Sequence, residues 1–403
     1  VWGTSENTVR ETISPEGNIM VENIGPIYLS GMNMEEAERY LRHEFSKIYA
    51  AISGESAHIK VTLGKIRSIM VNVMGEVEVP GTYQLSAFAS VFHALYRAGG
   101  VNRIGSLRTI QVVRSGMKVA DVDVYEYIMK VARKWISPPY NVDGWRLDVA
   151  ADLGHSNEYN HKFWRDFRKN VKEANPNAII LAEHYGDAKS WLEGDQWDTV
   201  MNYDAFMEPV TWFLTGMEKH SDEYNEGMYG NSDCFIGAMK YHMASFYAPS
   251  LMVSMNELSN HDHSRFLTRT NHRVGRISYA GPEAASEGVN PAVMREAVTI
   301  QMTWPGAPTV YYGDEAGLCG FTDPDNRRTY PWGREDYQMI DFHRVMIRIH
   351  KNYEVLKTGS LGFLWNDYQG LCYARFSHDE QIIVIVNNQE EGREVEIRLG
   401  QAG

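Results

Sequence analysis

Three acidic residues in this chain each follow a short, strand-like run. Asp148 ends Gly144-Trp145-Arg146-Leu147-Asp148, Glu183 ends Ile179-Ile180-Leu181-Ala182-Glu183, and Asp262 follows Asn260-His261 just past Met252–Glu257. Period-2 geometry puts Arg146 and Asp148 on one face of their strand and Leu147 and Val149 on the other. A strand covered on both faces is expected to be apolar throughout, so an ionic pair there demands a reason. A structural Arg–Asp bridge is one reading, although buried ion pairs are weak stabilisers. A single strand-end acid is more often a helix cap or a solvated turn residue. Three in successive units, two with Arg or His alongside, favour catalysis. The chemistry that uses such a set is cleavage of a glycosidic bond. It needs a protonated acid for the leaving oxygen and, for retention, an opposed carboxylate about 5–5.5 Å away. A further ionised carboxylate stabilises oxocarbenium charge. Arg146 would keep Asp148 ionised and aimed.

The elements that must position these groups alternate. Gly144–Ala150 reads as a strand, and Asn157–Ala174 as an amphipathic helix with Phe163, Phe167 and Val171 on one side. Ala178–Glu183, Thr199–Tyr203, Met252–Glu257 and Pro308–Gly313 read as further strands. Alternating strand and helix at this spacing implies parallel strands with crossover helices, whose C-terminal edge gathers catalytic groups. From Leu361 the text turns β-rich (Leu371–Phe376, Gln381–Asn387, Arg393–Leu399), predicting a small antiparallel domain.

The first 130 residues differ in grain. Ile59–Leu63, Ile69–Val73 and Thr109–Val113 read as strands, and Glu76–Gly81 carries a Pro-Gly turn. Asn33–Phe45 and Ala87–Ala98 read as helices, the second stopped by Gly99-Gly100. The pattern changes within Tyr125–Arg133, without a Pro/Ser-rich linker. At 403 residues the chain is long enough for two or three domains. A net charge of −13 argues against a surface that tracks phosphates, so no nucleic-acid partner is expected. A neutral, hydroxyl-rich ligand fits better. Cys234, Cys319 and Cys372 are widely spaced, match no metal or disulfide framework and are expected as buried free thiols. No metal site and no cofactor are expected. No run approaches the roughly 18 apolar residues of a membrane span. The chain starts at Val1 in mid-pattern, which reads as a fragment's N-terminus.

Gly144-Trp145-Arg146-Leu147-Asp148, Ala182-Glu183-His184 and Ser259-Asn260-His261-Asp262 resemble three signature regions of glycoside hydrolase family 13, the α-amylase family. Val142-Asp143, Tyr311-Tyr312-Gly313-Asp314-Glu315 and Asp323-Pro324-Asp325-Asn326-Arg327-Arg328 point to its neopullulanase and cyclomaltodextrinase branch. The resemblance implies Asp148 as nucleophile, Glu183 as general acid/base and Asp262 as transition-state stabiliser. It implies substrate contacts from Arg146, His261, His184, Asp323 and Arg327. Trp304, Trp332 and Tyr203 are candidates for stacking on sugars, with a core role as the alternative.

Val73–Tyr83 with Ala98-Gly99-Gly100 resembles the β-grasp-like SLBB module of polysaccharide export proteins, and Ile13–Ile19 with Ile24–Ile27 resembles the export domain before it. The expected order is a partial export domain (1–58), an SLBB-like α+β domain (59–130), a partial catalytic barrel (131–352) and a truncated C-terminal antiparallel β-sandwich (353–403). The family's Asp-x-x-x-Asn-His signature on the third barrel strand has no counterpart. An incomplete (β/α)8 barrel of about five strands, lacking the first three, is therefore implied. The expected function is retaining hydrolysis of α-glucan oligosaccharides such as cyclodextrin, maltooligosaccharides or pullulan. The alternative is an export or envelope-assembly fragment fused to an inactive glycosidase remnant, a chimeric product. The glycosidase half implies the cytoplasm and the export-like half the periplasm or outer membrane. Homo-oligomerisation is left open.

Overall fold

The structure is a computed structural model and describes residues 2–3, 8–48, 57–62, 68–102, 105, 110–154 and 156–397. The chain divides into two compact units, Val1–Tyr125 and Glu126–Gly403.

In the first unit, β1 (Asn18–Val21) and β2 (Gly25–Tyr28) form a hairpin followed by helix α1 (Met34–Ser46). The helix starts where a reciprocal cap is available: the Asn33 side chain accepts from the Glu36 amide at 3.0 Å, and Glu36 accepts from the Asn33 amide at 2.9 Å. Leu41 and Phe45, one turn apart, pack on Val21 and Ile27 of the hairpin. A second cluster gathers Val73 from β3 (Ser68–Val73), Leu85 from β4 (Gly81–Ser86) and Ala94 from α2 (Val91–Arg97), with Val77 and Ala98. A further hairpin follows, β5 (Ile110–Arg114) with β6 (Met117–Val122). The expected strand Ile59–Leu63 is not formed: Ile59 is buried against α1 instead of laddered, and Leu63 lies outside the described residues.

Helix α3 (Val124–Ile136) leads into the alternating region. There β7 (Gly144–Leu147) pairs in parallel with β8 (Ile179–Ala182), and β8 with β9 (Thr199–Val200). A parallel bridge from Met201 to Met255 carries the succession to β10 (Met255–Glu257), which pairs with β11 (Ala307–Thr309). Five parallel strands therefore stand side by side in chain order among the described residues. Their crossovers include α4 (Asn157–Ala174), α5 (Glu208–Thr215), α6 (Ser232–Met243) and α7 (Pro291–Thr303). Gly144 opens β7 because a Cβ there would collide with the Ile179 backbone.

The strands are shorter than the apolar runs suggest. Gly144–Ala150 ends as a strand at Leu147, because Val149 takes a left-handed conformation (φ 44°) and Ala150–Asp152 coils into a 3₁₀ turn. Thr199–Tyr203 breaks into a π-helical turn from Tyr203 to Met207, and Met252 belongs to a helical turn, Ala248–Met252. In an arc of this kind only two to four residues per strand reach a neighbour before the chain turns away.

Helix α8 (Tyr337–Asn352) precedes an antiparallel meander of β12 (Ser360–Asp367), β13 (Gly370–Phe376) and β14 (Gln381–Asn387). The expected strand Arg393–Leu399 is absent over 393–397, and its last residues lie outside the described part. Leu371, Tyr373, Val384 and Val386 of the meander join Phe206, Val210, Phe213, Met294, Val298 and Trp304 in one apolar cluster. Arg375, fully buried, donates to the Thr303 carbonyl at 2.7 Å, and Asn388 to the Leu214 carbonyl at 3.1 Å. Trp304 and Tyr203 are buried, so both belong to the core, whereas Trp332 is exposed. Cys319 and Cys372 are buried but Cys234 is exposed, which corrects the expectation of three buried thiols.

Candidate active site

Arg146 sits at the centre of the site. One arm of its guanidinium is ion-paired with Asp148, and its other nitrogen lies 3.1 Å from Glu183 Oε2. The pairing follows from register: Arg146 on β7 stands beside Leu181 on β8, so the residues just past the two strand ends converge. The left-handed turn at Val149 aims its amide at Glu183, which accepts at 3.0 Å. Glu183 is buried, while the Asp148 side chain is 79% exposed. The Arg146 hydrogen bond holds the Asp148 carboxyl below the ordinary aspartate range; slight burial opposes it, and the Arg146 charge, a Glu183 hydrogen bond and His261 add to it.

A second group forms where the chain leaves β10. Asn260 Oδ1 accepts from the amides of Asp262 and His263, both at 3.0 Å, and so fixes the turn that carries Asp262. His261 Nε2 lies 3.6 Å from one Asp262 oxygen and Arg327 Nη2 3.6 Å from the other. Arg327 Nε stands 2.7 Å from Asp323 Oδ1 and donates to the His261 carbonyl at 3.0 Å. Asn326 ties the Asp323–Arg328 loop down by donating to the carbonyls of Asn260 and His263. Beneath it, Arg265 and Asp314 form a fully buried pair at 2.9 Å. The Tyr311–Glu315 segment thus supplies a structural counter-ion.

The expected site residues therefore come together in two sets: Arg146, Asp148 and Glu183, and His261, Asp262, Asp323 and Arg327. His184 is placed differently. Its ring packs against Trp191 and Trp197 at 5.1 and 5.9 Å, and its Nε2 is 3.3 Å from the Asp187 carbonyl. It lines a cleft of about 510 Å³ with Asn202, Tyr203, Tyr241 and Phe246. Several residues at the site were missed. Tyr185 stacks on Tyr203 at 4.3 Å, its hydroxyl is 3.0 Å from His263 Nε2, and Lys219 stands over its ring at 5.2 Å. Its place two residues past Glu183 was the available signal. His263 is kept neutral, pushed down to about 2 mainly by burial, with His220, Arg269 and Lys219 adding to it. Glu257, at the end of β10, is buried and bonded to the Asn260 side chain of the Asp262 turn.

A buried acid beside a cation at the end of one parallel strand, with a second carboxylate exposed at the next, is a constellation for acid-assisted displacement. Residues 108–362 match the family model for the catalytic domain of alpha amylase. The chain belongs to the α-amylase family. Residues 70–123 match the SLBB domain model. Curated members similar to this chain include Neopullulanase 2 of Thermoactinomyces vulgaris, 35% identical over 291 residues, covering 71% of this chain and 43% of that protein. Cyclomaltodextrinase of a Bacillus species is 33% identical, covering 67% of this chain and 43% of that protein. Among solved structures, an acarbose-soaked debranching enzyme of Nostoc punctiforme superposes with a TM-score of 0.57 at 28% identity, over 69% of this chain and 54% of that one. The α-amylase-family chain described here thus spans about half, or less, of the length of these relatives. Among its described residues no helix is long and apolar enough to cross a membrane.

Proposed function

We propose that this chain acts as a retaining glycoside hydrolase on α-glucan oligosaccharides. Asp148 serves as nucleophile, Glu183 as acid/base and Asp262 as the carboxylate that stabilises oxocarbenium charge. The observation that carries the reading is the Arg146 guanidinium held between Asp148 and Glu183 at the ends of adjacent parallel strands. Asp148, exposed and kept anionic, is free to attack the anomeric carbon. Glu183, buried, takes the Val149 amide and Arg146 on Oε2, and would protonate the leaving group once the substrate displaces its hydrogen bond to Asp148. When the glycosyl–Asp148 ester forms, the departing sugar carries the Glu183 proton. Water then gives its proton back to Glu183 as it attacks, which restores both carboxyls. His261, Arg327 and Asp323 surround Asp262 and would hold the sugar hydroxyls around the cleavage point; Arg146 orients the nucleophile. His184 is proposed as a more distant contact, through its cleft. The names of the similar neopullulanases and cyclomaltodextrinases support the α-glucan substrate class.

The five parallel strands are read as the last five of an eight-stranded barrel, and the meander as part of the C-terminal sandwich. The proposed order of domains is 1–58, 59–130, 131–352 and 353–403. The match of 70–123 to an SLBB domain favours a second reading for the first unit, attachment to an envelope assembly, with the glycosidase part as passenger. One experiment separates the two. Purified chain is incubated with β-cyclodextrin and with a nitrophenyl maltoside, and products are followed by chromatography and the anomer by NMR. The expected result is turnover with retained configuration, abolished by Asp148→Asn. A folded wild-type chain without turnover overturns the hydrolase reading.

A further inference from the structure

Glu257 is an acidic side chain at the end of β10, the short run Met255-Asn256-Glu257, and only 1% of it is exposed. Its Oε1 accepts from Asn260 Nδ2 at 2.7 Å. That same amide is 3.2 Å from the Tyr203 hydroxyl, so its donors are spent on two fixed partners. Asn260 then has only its Oδ1 to offer, and this accepts the backbone amides of Asp262 and His263. Rotating the Asn260 amide by half a turn would face its oxygen to the Glu257 carboxyl and its NH₂ to two N–H groups. Glu257 Oε1 and the two backbone N–H groups together hold the one orientation in which Asn260 shapes the turn. We propose that Glu257 is a positioning residue that, acting through Asn260, sets the backbone carrying Asp262.

Titratable and charged groups of both signs lie around Glu257. Arg146 of β7, Tyr203 of the π-helical turn, Tyr185 of the loop after β8, Arg269 of the helical turn Phe266–Arg269, Asp314 and Asp262 are all within electrostatic reach of it. Burial pushes the Glu257 carboxyl up to about 8, more than Asn260 and Arg146 pull it down. A neutral Glu257 adds no charge to the field around Arg146, whereas an ionised one would add a third carboxylate charge there.

The inference rests on the catalytic role proposed for Asp262, but its first test needs no turnover. Hydrogen–deuterium exchange of the peptide containing Asp262 and His263 is compared in wild type, Glu257→Gln and Glu257→Leu. Gln retains an acceptor for Asn260 and should retain protection; Leu should speed exchange of these amides about tenfold or more. Unchanged protection in Glu257→Leu overturns the proposal. With β-cyclodextrin as substrate, Glu257→Leu should lower kcat by about 10- to 100-fold with little change in KM, as expected for a displaced charge. Glu257→Gln should keep kcat near wild type at pH 6 and lose an alkaline decline centred near 8. If the wild type shows no turnover, the hydrolase reading fails while the exchange result still decides this one. Should Glu257→Leu not fold, pH-dependent unfolding of wild type and Glu257→Gln decides. The folded state holds the Glu257 proton above the pH at which an unfolded chain releases it, so wild-type stability must fall from about pH 5 to 8 relative to Glu257→Gln. Parallel curves overturn the proposal.

Discussion

Arg146 donates to two carboxylates from one planar group, an arrangement that an ammonium on a flexible stem does not reproduce. Arg146→Lys should therefore lose most of the turnover, and Arg146→Met should do more. With its guanidinium gone, Asp148 loses the main cause of its lowered pKa, so the acid limb of kcat/KM must move to higher pH. A pH–rate profile of Arg146→Met with an acid limb unmoved from wild type contradicts the assignment of Asp148 as the group titrating there. Val149 offers a second test at this scale. A β-branched residue in the left-handed region costs about 1–2 kcal/mol, and here the side chain is half exposed. Val149→Asn, which enters that region more readily, should raise stability by about 1 kcal/mol and the melting temperature by about 2 °C. The amide that reaches Glu183 stays in place, so calorimetry reads the strain by itself. The three carboxylates and Arg146 were legible because strand ends, charge and spacing coincide at them. Glu257 was not, because its burial and its bond to Asn260 exist only once the turn is folded, and Tyr185 was marked only by its nearness to Glu183, since Tyr203 and His263 meet it through contacts that no period in the sequence encodes.

At the scale of elements, the arc is secured to its helices by few but well-paired groups. Asp198, between β8 and β9, lies 2.7 Å from both Lys172 and Arg168 of α4 and accepts the Ile180 amide at 2.8 Å. Burial alone would raise its carboxyl, yet the Lys172 and Arg168 hydrogen bonds and the Ile180 amide hold it below the ordinary range. A depressed carboxyl contributes stability that is present above its unfolded pKa and lost as pH falls through the folded one. Asp198→Asn should cost about 2–3 kcal/mol near neutrality and flatten the acid side of the stability curve, checked by urea unfolding from pH 3 to 7. Existence and order of the parallel strands were readable from the alternation of apolar runs with amphipathic stretches. Their lengths were not, since Tyr203 reads as the end of the Thr199–Tyr203 strand while the backbone there has already turned into a π-helical segment. Arg393–Leu399 alternates like a strand, but over 393–397 no ladder forms, and alternation alone does not supply a partner edge.

At the scale of the whole molecule, the meander and the alternating region share a single core. Tyr373 meets the Thr303 hydroxyl at 2.6 Å, and Ser232 donates to the Asp367 carbonyl at 2.7 Å, so side chains far apart in sequence lock the two together. A chain ended at Gly359 should lose cooperative unfolding of the 126–359 region, seen as a broad thermal transition with increased dye binding. A sharp transition at the wild-type temperature would show the meander to be dispensable. The same core also has a history. Its members run from Phe206 to Val386, about 180 positions apart, and the ribosome adds roughly 5–20 residues per second. For roughly ten to forty seconds, then, the apolar face of α5 is covered only in part, by α6 and α7 as they emerge, while the strands that complete its packing are still being made. The yield of active chain from a cell should depend on what shields that face meanwhile, with slower synthesis a disadvantage and an ATP-driven chaperone a help.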